Sequence, residues 1–565
     1  MSMKNKSIKN LLKGVFLVAI SPFTGFADEN TNSYEAKSNI PSVYNASPSQ
    51  IVYQQFQWSE PMENGYQHLL IREGNEFNMH TTNGIPTTFV HINTLDDFLS
   101  EVQKTQGADV VILDDDISIN QAIHLRDNIM ITGQQFEYKP NVFYDVSKNH
   151  RAASISSNAD NDLFIVGKNT TVRDLTLSVQ NHHAVVTNAS NTVGHLTLEH
   201  LNANGNIVIE LDDGSNDSVI NISHNKLDLS AGDNLVGFKI INKSGAEVVE
   251  DFSNNQVTFE SGNYNTGYLV NNHVGSQTIY FFENNGVNFN SVTQGSNGFT
   301  LNNHSGEQWI STFYGNSATF LNGTVNTGLT VYNHQNNQSV NNISMNTFIF
   351  GHSSQEADAI YIENLGLNQT IGTVDNNFIT IGDGHSNEVF KIYNDKTEQT
   401  IKSISNNQIK FTGTQDLAEV FDIENFSEAQ IINDMSSNQI TFQDVSNASG
   451  FAFGNNNRQQ TIGHLSNNQF NLLGVVDNFK VINMQVDSAG SAETVVNGMK
   501  NNQVLDNVST LGIILSASNG SSIHINVDGD PGAEVPLEVL SLDNNNIPVQ
   551  DTKSGGTVMV TEIVT

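Results

Sequence analysis

One phrase recurs down this chain at a nearly fixed interval, and that interval constrains the fold more than any other feature. "DFSNNQVTF" begins at Asp251, "SISNNQIKF" at Ser403 and "DMSSNQITF" at Asp434. Aligned on its second asparagine, the column reads Asn225, Asn255, Asn285, Asn316, Asn346, Asn377, Asn407, Asn438, Asn468 and Asn502. Its steps are 30, 30, 31, 30, 31, 30, 31, 30 and 34 residues. A second column, from Asn242 to Asn455, keeps the same pace, as does a glutamine column from Gln277 to Gln460. Periods of this length mark solenoids, propellers or arrays.

The apolar residues decide among these. Val257 and Phe259, Phe299 and Leu301, and Ile279 illustrate three short segments per repeat. Each alternates with period two and is rich in β-branched and aromatic residues, which is the signature of strands. Asn, Gly, Ser and Asp fill the corners. Three strands in about 30 residues are too few for a propeller blade. The expected fold is all-β, a right-handed parallel β-helix whose coils stack ~4.8 Å apart. Equivalent residues then pile into columns. An inward asparagine at a corner satisfies its amide only if the next coil supplies the same group, which is why the phrase repeats. Proline agrees: all nine lie at or before Pro140 or at or after Pro531, as a body of paired strands requires.

The remainder divides around this body. Lys4, Lys6, Lys9 and Lys13 precede an apolar run and then Gly25-Phe26-Ala27, so residues 1–27 read as a signal peptide. The mature chain is therefore expected in the extracellular space, at the cell surface or in the periplasm, without a membrane span. Residues 28–85 are polar and read as a loosely ordered leader. Residues 86–222 hold an N-terminal cap and irregular first coils, 223–510 the regular repeats, and 511–565 a C-terminal cap. In the first cap, Thr94 and Asp97 resemble a capping box. Leu95, Phe98, Leu99 and Val102 fall on one helical face, so a short capping helix is expected.

Two resemblances follow. The helix, then "VVILDDDISIN", then "IHLRDNIMITG", resembles the opening of pectate-lyase-like β-helix proteins. "FSNN" at Phe252–Asn255, "FENN" at Phe282–Asn285 and "FYGN" at Phe313–Asn316 resemble the FxxN motif of polymorphic outer-membrane and autotransporter passengers. The companion GGAI motif is absent. The first resemblance implies a polysaccharide lyase or glycoside hydrolase, the second an adhesin.

Chemistry is sparse by comparison. The net charge of -35 disfavours nucleic acid and anionic membranes, and the absence of cysteine excludes disulfides and thiolate metal sites. Asp212 and Asp383 lie five to six coils apart, on the order of 25 Å, too far to act as a glycosidase pair. Asp114, Asp115 and Asp116 are candidate metal ligands, with calcium as the ion they would take. His273, His304 and His334 follow the second asparagine and should stack on consecutive coils, as a second metal candidate. His195 and His200 are placed on opposite strand faces, so they should not chelate together. Arg458 stands one repeat beyond Glu428 as an expected surface ion pair. No residue is assigned to catalysis. The expected function is a secreted adhesin or host- and matrix-contact factor; the alternative is a polysaccharide lyase or glycoside hydrolase. Expected partners are a host or matrix surface molecule or a polysaccharide.

Overall fold

The computed structural model describes residues 56–62, 66–73, 76–79, 81–82, 85–133, 137–139, 142–144, 153–180, 182–187, 193–212, 218–230, 232–413, 415–486, 492–505, 510–517, 521–528, 533–534, 549–551 and 557–563. The signal peptide and the start of the polar leader lie outside these residues.

A single coil shows how the body is built. Gln338–Ser344 forms a strand on the first face, Thr347–Gln355 on the second and Asp358–Asn364 on the third. Each pairs in parallel with its equivalent one coil on: Gln338 opposite Gln369, Phe348 opposite Ile379, Ile360 opposite Phe390. The chain is thus a parallel β-solenoid of about 30 residues per turn. Among the described residues its faces are sheets of 21, 16 and 15 strands, the first including antiparallel strands at both ends.

Period-two alternation sends one set of side chains inward. Phe259, Phe289, Phe320 and Phe350 stack in one column, with ring centroids 5.0, 4.6 and 5.0 Å apart. Phe390, Phe421 and Phe451 form another at 4.9 Å intervals. Tyr268 is fully enclosed in this core, and its hydroxyl donates to the carbonyls of Asn255 and Gly286.

The corners carry the polar ladders. Asn316 donates from its backbone N–H and from Nδ2 to Oδ1 of Asn346, at 2.9 and 3.2 Å. Asn346 does the same to Asn377, and its Nδ2 also donates to the Phe313 carbonyl. The pattern runs from Asn225 to Asn502. Asn242 through Asn455 form a second ladder around the corner from the third face to the first. Beside it the glutamines donate in the opposite sense, each Nε2 to the Oε1 of the preceding coil. The residue before each asparagine of the first ladder turns the corner in the left-handed region, for example Asn376 at φ 55° and Asn406 at φ 56°. Asparagine, aspartate and histidine tolerate that region best.

The helix is Leu95–Gln103, with Thr94 as N-cap accepting from the Asp97 N–H, and it buries Phe98 and Val102. It also buries Glu101, which accepts from the Ala108 N–H at 2.6 Å and the Tyr66 hydroxyl at 2.9 Å. Strands occur in the segments read as leader and C-terminal cap. Phe56–Trp58, Gln67–Glu73 and Glu76–Met79 pair antiparallel. Beyond the last ladder asparagine, Ser522–Asp528 still pairs in parallel with Thr557–Ile563. Inward residues such as Ile523 and Ile525 sustain those coils without the ladder.

Candidate functional site

The outward side chains of the third face carry the densest chemistry. "DAIYIEN", "EVFKIYN" and "EVFDIEN" are consecutive strands there, Asp358–Asn364, Glu388–Asn394 and Glu419–Asn425. Inward positions hold Ile360, Phe390 and Phe421, so the positions alternating with them, Tyr361, Lys391 and Asp422 and then Glu363, Tyr393 and Glu424, point away from the core. The alternation breaks at the strand starts: Ala359, Val389 and Val420 are buried as well, and Asp358, Glu388 and Glu419 before them are half-buried. Parallel register then sets Asp358, Glu388 and Glu419 in one column, Tyr361, Lys391 and Asp422 in the next, and Glu363, Tyr393 and Glu424 in a third. Tyr332 extends the patch by one coil, opposite Glu363.

Within it, Glu388, Glu419 and Asp422 place carboxylate oxygens within 4.8 Å of one another. The Lys391 ammonium lies 2.8 Å from Glu388, and 5.9 and 5.4 Å from the ring centres of Tyr361 and Tyr393. Tyr393 donates to Asp422 at 2.8 Å and Tyr361 to Glu363 at 2.5 Å. Tyr332, Tyr361, Tyr393 and Phe426 run along the face edge to face, with centroids 6.3, 6.0 and 5.8 Å apart.

Crowding carboxylates on a half-buried surface shifts their protonation. Burial raises Asp358 to about 7, with Lys391 opposing the shift. Burial and then the charge of Glu388 raise Asp422 to about 7, and burial with Asp422 does the same to Glu424. Burial also raises Glu419. It pulls the Lys391 ammonium down, but Asp358 and Glu388 outweigh it, so Lys391 keeps its proton more firmly than usual. The patch can therefore give up or take protons near neutrality, hold a cation and hydrogen-bond hydroxyl groups beside aromatic rings.

Lys391 acts as the built-in counter-ion. Replacing it with Met leaves the carboxylates repelling each other, and removing one partner of a buried pair costs about 3–5 kcal/mol. The side chains of Lys391 and Glu388 are 24% and 20% exposed, so about 2–3 kcal/mol is expected at pH 8. At pH 5, below the value of about 7 to which Asp358, Asp422 and Glu424 are raised, these three carboxylates carry protons, the repulsion that Lys391 offsets is weaker, and the loss should shrink to about half or less. Urea unfolding at the two pH values measures this; equal losses would show that Lys391 contributes packing rather than charge.

The residues singled out from the sequence lie elsewhere. Asp114 pairs with His91 at 3.0 Å and Asp116 accepts from the Ser154 N–H at 2.8 Å, while Asp115 is exposed. His273, His304 and His334 do stack, with centroids 4.9 and 4.4 Å apart. Burial and then His304 hold both His273 and His334 below the usual histidine range. His304 and His334 line an open pocket of about 380 Å³ with Asp395 and Lys396. Among the described residues, two groups of three have ligand atoms within 4.8 Å of one another, and neither contains these histidines or Asp114–Asp116. Arg458 pairs with Glu428 at 2.7 Å across adjacent coils, both well exposed.

Comparison with protein-family models, with curated proteins and with solved structures finds no match to this chain. Among the described residues no helix is long and apolar enough to cross a membrane.

Proposed function

We propose that this chain is a secreted or surface-exposed contact protein that acts without catalysis, binding through the acidic, tyrosine-lined third face around Lys391. The partner class is a basic surface or matrix protein. The observation that carries this is the in-register display of five carboxylates, Asp358, Glu388, Glu419, Asp422 and Glu424, beside Tyr361 and Tyr393 on three consecutive strands. Aromatic rings supply contact area at low entropic cost, and above about pH 7, where Asp358, Asp422 and Glu424 ionise, the row of carboxylates attracts and orients an oppositely charged partner. A net charge of -35 adds long-range steering toward the same class. The signal-peptide pattern and the FxxN resemblance to autotransporter passengers support the location and the adhesive role.

The test is binding of the mature chain to surfaces coated with a lysine-rich protein or an acidic polysaccharide, at low and high salt. Binding to the basic surface, weakened at least about tenfold by high salt and by Tyr393→Ala with Asp422→Asn, is expected. Salt-insensitive binding, or none, overturns it.

A second reading rests on Asp422 and Glu419. Retaining glycosidases hold two carboxyl groups about 5–5.5 Å apart and need one protonated near neutrality. Asp422 and Glu419 bring carboxylate oxygens within 4.8 Å of each other, and burial raises Asp422 to about 7. Such a pair also suits the pectate-lyase-like opening. New reducing ends released from a polysaccharide panel, and lost in Asp422→Asn, would favour hydrolysis over contact.

A further inference from the structure

The first corner of the solenoid changes character near its N-terminal end. In the regular coils its left-handed position is filled by residues such as Asn254 and Asn284, at φ 57° and 55°. Earlier coils place Asp174, His200 and His224 there, at φ 55°, 52° and 58°. Left-handed backbone at a corner turns each side chain outward, and stacking brings the two imidazoles face to face with centroids 4.9 Å apart. Backbone hydrogen bonds fix both: the His200 N–H donates to the Ser223 carbonyl and the His224 N–H to that of Ser253. Glu199, the last residue of the strand His195–Glu199, reaches the same spot. Ligand atoms of Glu199, His200 and His224 all lie within 4.8 Å of one another.

We propose that Glu199, His200 and His224 form a binding site for a late first-row divalent cation, with Zn²⁺ the first expected. Two imidazoles and one carboxylate are a ligand set zinc takes readily, with bonds near about 2.0–2.2 Å and one position left for water. Both rings and the carboxylate are accessible, so the small closure needed is a side-chain rotation while the corner backbone stays fixed. Asp174 stands 3.5 Å from Nδ1 of His200 and is itself held by Arg173 at 2.7 Å. A buried carboxylate behind a ligating histidine is the usual outer-shell arrangement, fixing ring orientation and raising basicity. Arg173 also approaches Glu199 at 3.5 Å, and Asp251 contributes charge beside His224. One cation against the carboxylates of Asp174, Glu199 and Asp251 leaves two negative charges, which a dication neutralises.

Histidine is also tolerated in the left-handed region for its own sake, so the test must separate geometry from ligation. His200→Asn and His224→Asn do so, because asparagine occupies the equivalent corners at Asn254 and Asn284 and keeps the backbone. Calorimetric titration of the full mature chain with Zn²⁺ should give one site. Each variant should weaken it by about 100-fold or more, beyond the about 10- to 100-fold produced by losing an outer-shell partner, which Asp174→Asn should show. Co²⁺ should give d–d absorption that both histidine variants abolish. His304→Ala, in the other histidine stack, should change nothing. No Zn²⁺ binding by the folded chain, binding that survives the double asparagine variant, or binding lost with His304→Ala would each overturn the assignment.

Discussion

Asn346→Ala is expected to cost about 4 kcal/mol of stability, far more than an asparagine on the surface of the same coils. The change removes the acceptor for the backbone N–H and Nδ2 of Asn316 and the donor to the Phe313 carbonyl. It also ends the Nδ2 contact with Asn377, so the ladder is cut in two. Asn346 and its neighbours Asn316 and Asn377 are fully buried, so no water replaces the lost partners. Each stranded buried group costs about 1–3 kcal/mol, and the Asn316 N–H is the costliest because its backbone cannot move away. The comparison is Asn406→Ala, which places alanine in the left-handed region at a cost of about 1–2 kcal/mol. Denaturant unfolding of both variants measures the difference. A loss for Asn346→Ala no larger than that for Asn406→Ala would show that the ladder is a consequence of stacking rather than a cause of stability. Hydrogen exchange should localise the damage to the flanking coils, since a solenoid transmits stability between neighbours.

The second large effect lies where the glutamine ladder begins. Glu247 occupies the glutamine position of its coil and is 1% exposed. Gln277 donates to its Oε2 at 3.2 Å, while Oε1 has no hydrogen-bond partner. Burial raises its pKa to about 8 against the ordinary 4.5, with the Gln277 hydrogen bond opposing. The folded chain therefore holds a proton that the unfolded chain releases. Stability from this group is complete below about pH 4.5 and falls as pH rises through 8. By pH 9 the loss is about 3–5 kcal/mol, at about 1.4 kcal/mol for each tenfold difference in proton affinity. Glu247→Gln restores the uncharged ladder residue, so the variant should exceed the wild type by that amount at pH 9 and by less than about 1 kcal/mol at pH 5. Unfolding midpoints across this range test it, and a variant with the same alkaline slope as the wild type would show that Glu247 already ionises with little penalty.

The three-strand coil, the parallel stacking, the helix at Leu95–Gln103 and the buried columns of asparagine and glutamine were all legible in the residues. Each depends on a pattern that repeats along the chain, and a repeat of about 30 residues converts sequence distance directly into vertical contact. Arg458 and Glu428 were legible for the same reason. The acidic face around Lys391 is not legible in the same way, because its columns change identity at every coil. Tyr361, Lys391 and Asp422 share a position without sharing a chemistry.

What the sequence determined by itself is therefore the solenoid, since a strict period leaves a chain little choice about which residues stack. What only the tertiary structure decided is where chemistry gathers. Burial, not composition, keeps protons on Asp358, Asp422 and Glu247 near neutral pH. The left-handed corner, not strand alternation, turns His200 outward beside His224. Both depend on distances and exposure set by the stacked coils, and neither quantity is written in residue order.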